Sequence, residues 1–273
     1  PAKAAAASLA EFFDFARTVK GDQPTVRLRS AGEAGAARDL LEIVQPDRPF
    51  LVDSVMGEIT ESGFRVRAMF HPVVEIDGVA RSFIQVHLDP VGEDRVESLL
   101  EQIRETLFDV RRAVGDFKAM RDLMHRAVAE LAATPGITSE EGRQEDLAFL
   151  RWLEDDNFVF LGARVYEYPR SSDGGYAAEE PLYEAEASLG VLRDSSRSVL
   201  RRAYEPAILS KQLQRQLETG APVVVAKSNL RSRVHRRGFM DYVGVRRYGD
   251  DGKPSGEVRF VGLFTAEAYE TPA

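Results

Sequence analysis

The sequence predicts an α+β fold in two modules, and three features carry the prediction. Leu40 to Phe70 reads as strand, turn, amphipathic helix and strand with almost nothing between them. Gly238 to Tyr248 and Gly256 to Phe264 read as long strands joined by Gly249-Asp250-Asp251-Gly252, a hairpin signal. Between these regions, Thr134-Pro135-Gly136 sets two breakers after a polar stretch. The expected modules are therefore residues 1–134 and residues 135–273.

Residues 3–20 look helical, with Leu9, Phe12, Phe13 and Ala16 on one face and Gly21-Asp22 as the stop. Thr25 to Arg29 is a short candidate strand, and Gly32 to Ala37 a small, flexible loop. Leu40, Leu41, Ile43 and Val44 form the near-continuous apolar run of a central strand. Pro49 suits the first helical position, and Val52, Val55, Met56 and Ile59 recur at helical spacing up to Gly63. Phe64 to Phe70 alternates as a half-buried strand does, and His71-Pro72 points to an edge or a bend before Val73 to Ile76. Asp77-Gly78 is a tight turn leading into Ser82 to Leu88. Glu93 to Val110 and Phe117 to Leu131 are amphipathic helices broken at Gly115.

In the second module, Thr138 with Glu141 resembles a capping box opening a helix toward Trp152. Asn157 to Tyr168 is a strong strand, Leu189 to Leu192 a weak one, Ile208 to Leu217 a short helix and Val223 to Ala226 a buried strand. No repeat recurs at a fixed period.

Composition excludes several function classes. A net charge of −8 gives no global pull toward nucleic acid or an anionic membrane. With no cysteine, neither disulfides nor thiolate metal sites are available, which fits a reducing cytoplasm. No apolar run approaches the roughly 20 residues needed to span a bilayer. The chain starts at Pro1, and its simplest reading is a piece of something longer.

Catalytic patterns are absent. There is no Gly-x-Gly for a dinucleotide turn, no phosphate loop, no Gly-x-Ser-x-Gly and no His-Glu-x-x-His. The histidines His71, His87, His125 and His235 never take metal-ligand spacing, so no metal or resident cofactor is expected. His87 falls on the polar side of its strand, and His71, at its bend, suits a structural hydrogen bond. Asp155-Asp156 reads as a helix-end pair facing water rather than a catalytic dyad. Lys227 to Arg237 (KSNLRSRVHRR) is the most basic stretch, with five Lys or Arg residues and no acid. Its Lys227, Arg231, Arg233, His235 and Arg236 form either an anion site or an interface loop.

Ile43 to Val52 (IVQPDRPFLV), followed by Gly63-Phe64, resembles the strand-turn-helix start of ACT domains. Those are small ferredoxin-like modules that bind amino acids and regulate metabolic enzymes. The family pattern has glycine just after the proline, where this chain has Phe50. The resemblance implies an effector contact at Asp47, Arg48, Phe50 and Asp53, with His71 nearby, and Phe50 would fill part of that space. It also implies a last strand that is missing after Leu107; Thr25 to Arg29 could supply it from the other end.

A longer resemblance covers nearly the whole chain. Arg48 to Val55 (RPFLVDSV), Phe70 to Val74 (FHPVV), Asp156 to Gly162 (DNFVFLG), Ser188 to Leu192 (SLGVL), Val234 to Arg237 (VHRR) and Tyr242 to Val245 (YVGV) are similar to the N-terminal segment of the large bacterial NAD-dependent glutamate dehydrogenases. The resemblance implies a βαββα ACT-like module followed by a mostly antiparallel PAS-like or second ACT-like module. It implies a parent enzyme that oxidatively deaminates glutamate with NAD. This segment would be non-catalytic, either regulatory or purely a scaffold. Its partners would be the downstream catalytic domain and other subunits in the cytoplasm, with an amino acid as the possible effector.

Overall fold

The structure, a computed structural model, describes residues 10–17, 19, 21–31, 37–134, 136–172, 175–176, 181–199 and 220–266. Two compact units emerge: Pro1–Arg111 with Arg233–Arg237, and Arg112–Ser232 with Gly238–Ala273. This division differs from the expected boundary at residues 134 and 135. The reason is α4 (Phe117–Ala133): its Met120, Met124, Ala127 and Leu131 bury themselves in the core of the second sheet and not of the first.

The first unit holds α1 (residues 10–17), β1 (Thr25–Ala31), β2 (Arg38–Pro46), α2 (Leu51–Glu61), β3 (Val66–Phe70), β4 (Val73–Ile76), β5 (Val79–Leu88) and most of α3 (Glu93–Gly115). Its sheet runs β1-β2-β5-β3, with β4 also on β5, and all pairs are antiparallel. The two central strands each come before a helix, which is the split βαβ arrangement of a ferredoxin-like module. The place beside β2 that a strand after the second helix would take is filled by β1, which pairs from Thr25↔Val44 to Ala31↔Arg38. The edge strand thus comes from the other end of the chain, as Thr25 to Arg29 allowed.

Strand β2 is buried on both faces, from Leu40 to Gln45. Val44 and Phe83 face α1, where Phe12 and Phe83 meet edge to face at 5.6 Å. Leu41, Ile43, Ile84, Val86 and Leu88 alternate to the opposite face and are fully buried, matching the apolar stripes of α2 and α3. On the α1 side sits a buried carboxylate, Glu42. It accepts from Arg27 Nε at 2.6 Å, Arg29 Nε at 3.1 Å and Gln85 Nε2 at 2.8 Å, so its burial is compensated. His87 bonds Gln85 Oε1 at 3.0 Å, and burial followed by the nearby Arg38 and Arg29 lowers its pKa.

Punctuation in the sequence works mostly as expected. Asp77 (φ 52) and Gly78 (φ 75) make the two-residue turn between β4 and β5. The chain bends at His71-Pro72, and both halves stay on β5. Gly63 (φ 76) closes α2 as a Schellman motif, with Phe64 N–H on Ile59 O and Gly63 N–H on Thr60 O. Two details differ. Helix α2 starts at Leu51, not at Pro49, because Phe50 takes a left-handed conformation that the helix cannot include. The cap of α5 (Glu140–Trp152) is Ser139 and not Thr138: extended Ser139 accepts Gly142 N–H at 3.1 Å.

The second unit adds α4, α5, β6 (Phe158–Glu167), β7 (Leu189–Gly190), β8 (Val223–Ser232), β9 (Gly238–Tyr248) and β10 (Pro254–Phe264). Its antiparallel sheet has the order β7-β6-β10-β9-β8, and α4 and α5 cover one face through Leu131, Leu147, Leu150, Phe160, Val243 and Phe260. The weak strand at Leu189 is two residues long and runs into a 3-10 turn, Val191–Arg193. Asp155-Asp156 lies in a π-helical turn, Leu153–Asn157, and both side chains are exposed. The helix expected over Ile208 to Leu217 and the loop at residues 32–36 lie outside the described residues.

The other face of this sheet holds a buried polar network. Glu257 accepts from Tyr242 Oη and Arg259 Nε, both at 2.7 Å, and Arg259 lies over the Tyr166 ring. Burial, and then Glu257, push the Tyr242 phenol well up. Gly244 makes the room: a Cβ there would run into Tyr242 Oη and Glu257 Oε1.

Asp116, just before α4, accepts from Gly190 N–H at 2.8 Å and from Arg193 at 2.5 and 2.8 Å. Burial opposes the charged form of Asp116, but the Arg193 and Gly190 bonds outweigh it, and the net shift is downward. A depressed carboxyl contributes stability above its unfolded pKa and loses it as pH falls through the folded one. Asp116→Asn is therefore expected to cost about 1–3 kcal/mol at pH 7. Urea unfolding as a function of pH should show the gap to the parent chain closing below pH ~4.

Candidate functional site

The site grows out of the turn between β2 and α2, Asp47 to Phe50. Asp47 N–H donates to Ala80 O at 2.9 Å, so the turn is tied to the start of β5. Ser82 Oγ, fully buried on β5, donates to Asp47 Oδ1. His71 Nε2 lies 2.9 Å from the same Ser82 Oγ. The serine's one proton goes to the aspartate, so the histidine is the donor and carries its proton on Nε2. The order of groups is carboxylate, hydroxyl, imidazole. In a nucleophilic triad the imidazole stands between the other two, so this chain fixes a turn and does not activate Ser82. Asp47 and His71 are thus brought together through Ser82. Arg48 points elsewhere and pairs with Asp22 at 3.0 Å.

The opposite side of the turn is where Phe50 and Asp53 meet the basic stretch. Phe50, at the N-cap, has φ 67 and no side-chain cap bond. Its ring stands 5.0 Å from that of His235, which itself has φ 65. His235 N–H donates to Ser54 Oγ at 3.0 Å, and Ser54 Oγ donates to Phe50 O at 2.6 Å. His235 Nδ1 is buried without a hydrogen bond, and Asp53 Oδ2 lies 3.6 Å from it. Two residues on, Arg237 donates to Glu58 Oε2 at 2.6 Å; Thr106 of α3 donates to the same oxygen at 2.9 Å. Gly57 lets the arginine lie against the helix, since a Cβ there would sit 3.1 Å from Arg237 Nε. Arg233 pairs with Glu105 of α3 at 2.5 Å.

The expected basic cluster therefore divides. Lys227 and Arg231 stay on β8, Lys227 on the buried Asp241 at 2.5 Å and Arg231 over the Phe239 ring at 5.8 Å. Arg233 goes to Glu105 of α3, His235 joins the α2 turn, and Arg236 is exposed. Sequence reasoning missed Ser54, Glu58, Ser82, Glu105 and Arg237. Periodicity could have flagged Glu58: it shares the helix face of Val55 and Ile59, where a carboxylate needs a cation. Nothing local names residue 237 as that cation. Among the described residues, no three His, Asp or Glu side chains gather as a metal site requires.

Arg237→Ala leaves the Glu58 carboxylate, 7% exposed, with the hydroxyls of Thr106 and Ser62 and no cation. The expected loss is about 2–4 kcal/mol, against under about 1 kcal/mol for Arg233→Ala, whose pair with Glu105 is half-exposed. Urea midpoints with an unchanged m-value check both, and equal losses would contradict this ranking.

Residues 1–108 match the family described as "Glutamate dehydrogenase, ACT1 domain". An NAD-specific glutamate dehydrogenase of Halomonas elongata is 31% identical over 258 residues, covering 85% of this chain and 15% of that protein. Those of Pseudomonas aeruginosa and Mycobacterium tuberculosis are 27% and 26% identical over 91% and 84% of the chain, and 16% and 14% of their own lengths. The chain thus spans about a sixth of these relatives. A solved RNA-binding light-oxygen-voltage receptor aligns over 96% of the chain at 10% identity and a TM-score of 0.23, which carries no argument about fold. The resemblance read from the sequence holds: this chain is homologous to a segment of NAD-specific glutamate dehydrogenases, and its first 108 residues match their ACT1 domain.

Proposed function

We propose that the chain is a non-catalytic regulatory and assembly segment of an NAD-dependent glutamate dehydrogenase. The parent reaction would convert L-glutamate and NAD to 2-oxoglutarate, ammonia and NADH on a downstream domain, in the cytoplasm. The observation that carries this reading is the coincidence of the ACT1 match over residues 1–108 with a complete ferredoxin-like sheet. The turn from Asp47 to Asp53 is the place for an amino-acid effector, and the basic stretch that holds Lys227, Arg231 and Arg236 is the surface for contacts with other parts of the oligomer. An effector acts there only through different affinities for two states of the enzyme.

For the second module, the sheet favours a PAS-type over an ACT-type reading. Its first strand, β6, lies between β7 and β10, and β9 follows β8 and precedes β10 with no helix within the hairpin. A βαββα module would place a helix directly after its first central strand, whereas among the described residues α4 and α5 come before β6, and β7 with a 3-10 turn comes after it. The second reading of the whole chain is a scaffold without a small-molecule site, favoured by Phe50 standing in the turn.

Thermal melting of the chain with each L-amino acid at millimolar concentration separates the two, because a ligand selective for the folded state raises Tm. Phe50→Gly sharpens the test. Relief of the left-handed backbone, about 1–2 kcal/mol, offsets a lost ring contact of about 0.5–1.5 kcal/mol, so Tm should hardly move. An amino-acid-dependent rise in Tm that grows in Phe50→Gly is the expected result. No rise in either protein favours the scaffold, and glutamate-dependent NAD reduction by the chain itself defeats the proposal.

A further inference from the structure

We infer that residues 233–237 are a built-in ligand of the α2 turn, a peptide seated where an effector would sit and displaceable from it. The inference rests on the effector reading above for its biological use, but not for its geometry. Four observations carry it. The peptide clusters with the first unit although its neighbours in sequence, Ser232 and Gly238, belong to the second. It touches the turn through the backbone as well as the side chain: His235 N–H on Ser54 Oγ at 3.0 Å, and its ring on Phe50. Its charge is complementary, with Arg233 and Arg237 set against Glu105 and Glu58, and Glu61 Oε2 at 3.6 Å from Arg237 Nε. Both residues of the ring pair hold left-handed backbone, at φ 67 and φ 65, although neither is glycine.

The last observation argues for a displaceable contact over a permanent one. Strain of this kind persists only where surrounding contacts over-determine it, and it concentrates at ligand clamps and switches. Here each strained residue leans on the other, so release of the peptide relaxes both. The buried His235 Nδ1, without a hydrogen bond, is a further contact left unmade in the seated state. A free ligand that competes must offer what the peptide offers: a cation opposite Glu58 and a flat or apolar group over Phe50. While the peptide is seated, the affinity of such a ligand is reduced by the fraction of open molecules.

The test uses the peptide in trans, so that it does not depend on any effector. The probe is a synthetic capped peptide of residues 231–239, added to the full chain carrying Arg233→Gln, His235→Gly and Arg237→Gln. A loop at millimolar effective concentration that is seated in about nine molecules of ten implies a free-peptide Kd of about 0.1 mM or below. NMR shifts at Phe50, Asp53 and Ser54 should report saturable binding to the triple variant, at least about tenfold tighter than to the parent chain. Absence of binding to a folded triple variant overturns the inference. Hydrogen exchange on the parent chain keeps it falsifiable if the variant does not fold. The His235 amide should exchange through local opening, slower than in the free peptide and faster than the β9 and β10 ladder amides. Exchange of that amide only with global unfolding, or at the free-peptide rate, would show a fixed or an unseated segment and overturn it equally. An amino-acid panel without effect, beside a peptide that binds, would instead defeat the effector reading and leave this one standing.

Discussion

The ion pair between Glu58 and Arg237 is the constraint on which the arrangement around α2 depends. Glu58 falls on the helix face that packs inward, between Val55 and Ile59, and its carboxylate is buried. A buried carboxylate without a partner would neutralise or destabilise the helix. Its cation comes from 179 positions further along the chain. That one requirement has local consequences. Gly57 leaves room for the arginine against the helix, and the hydroxyls of Thr106 from α3 and Ser62 add to the carboxylate's bonding. With residue 237 fixed at Glu58, the residues just before it are carried over the start of α2, and His235 lands on Phe50.

The sheet of the first unit depends on a second long-range choice. A strand order with β2 and β5 at the centre leaves the outer edge of β2 open, and open edges invite pairing with other chains. Strand β1 closes that edge in full register. Its inward-facing Arg27 and Arg29 at once supply the cations for Glu42, so one strand answers both an edge problem and a buried charge. The buried polar groups of the second unit follow the same logic in a tighter form: Glu257, Arg259 and Tyr242 satisfy one another across neighbouring strands.

How much of this could be read in the sequence follows from the range of each interaction. Apolar period and turn chemistry act over a few residues, and they located β2, α2, β5, the Asp77-Gly78 turn and the β9–β10 hairpin. The αL start of α2 was hidden, because Pro49 is a good first helical residue and nothing nearby says that Phe50 takes φ 67. The shift of the unit boundary was hidden as well, because the stripe of α4 fits any sheet and only the assembled core shows which one it joins. At the candidate site, Asp47, Phe50, Asp53, His71 and His235 were visible as residue types at turns. Their grouping was not, because Ser82 and Ser54, the hydroxyls that connect them, are unremarkable in a linear reading.

Phe50 carries the remaining argument. A glycine would take φ 67 freely, whereas a phenylalanine pays about 1–2 kcal/mol for it. If the turn existed only to leave backbone open for a ligand, the ring would be a loss on both counts. The ring instead meets His235, another residue in the same costly conformation, at 5.0 Å. Two adverse backbone choices facing each other make physical sense when the contact between them is what both positions serve. The side chain at residue 50 therefore belongs to the recognition of the chain's own segment, and a ligand at this turn has to contend with that segment rather than with an empty cleft.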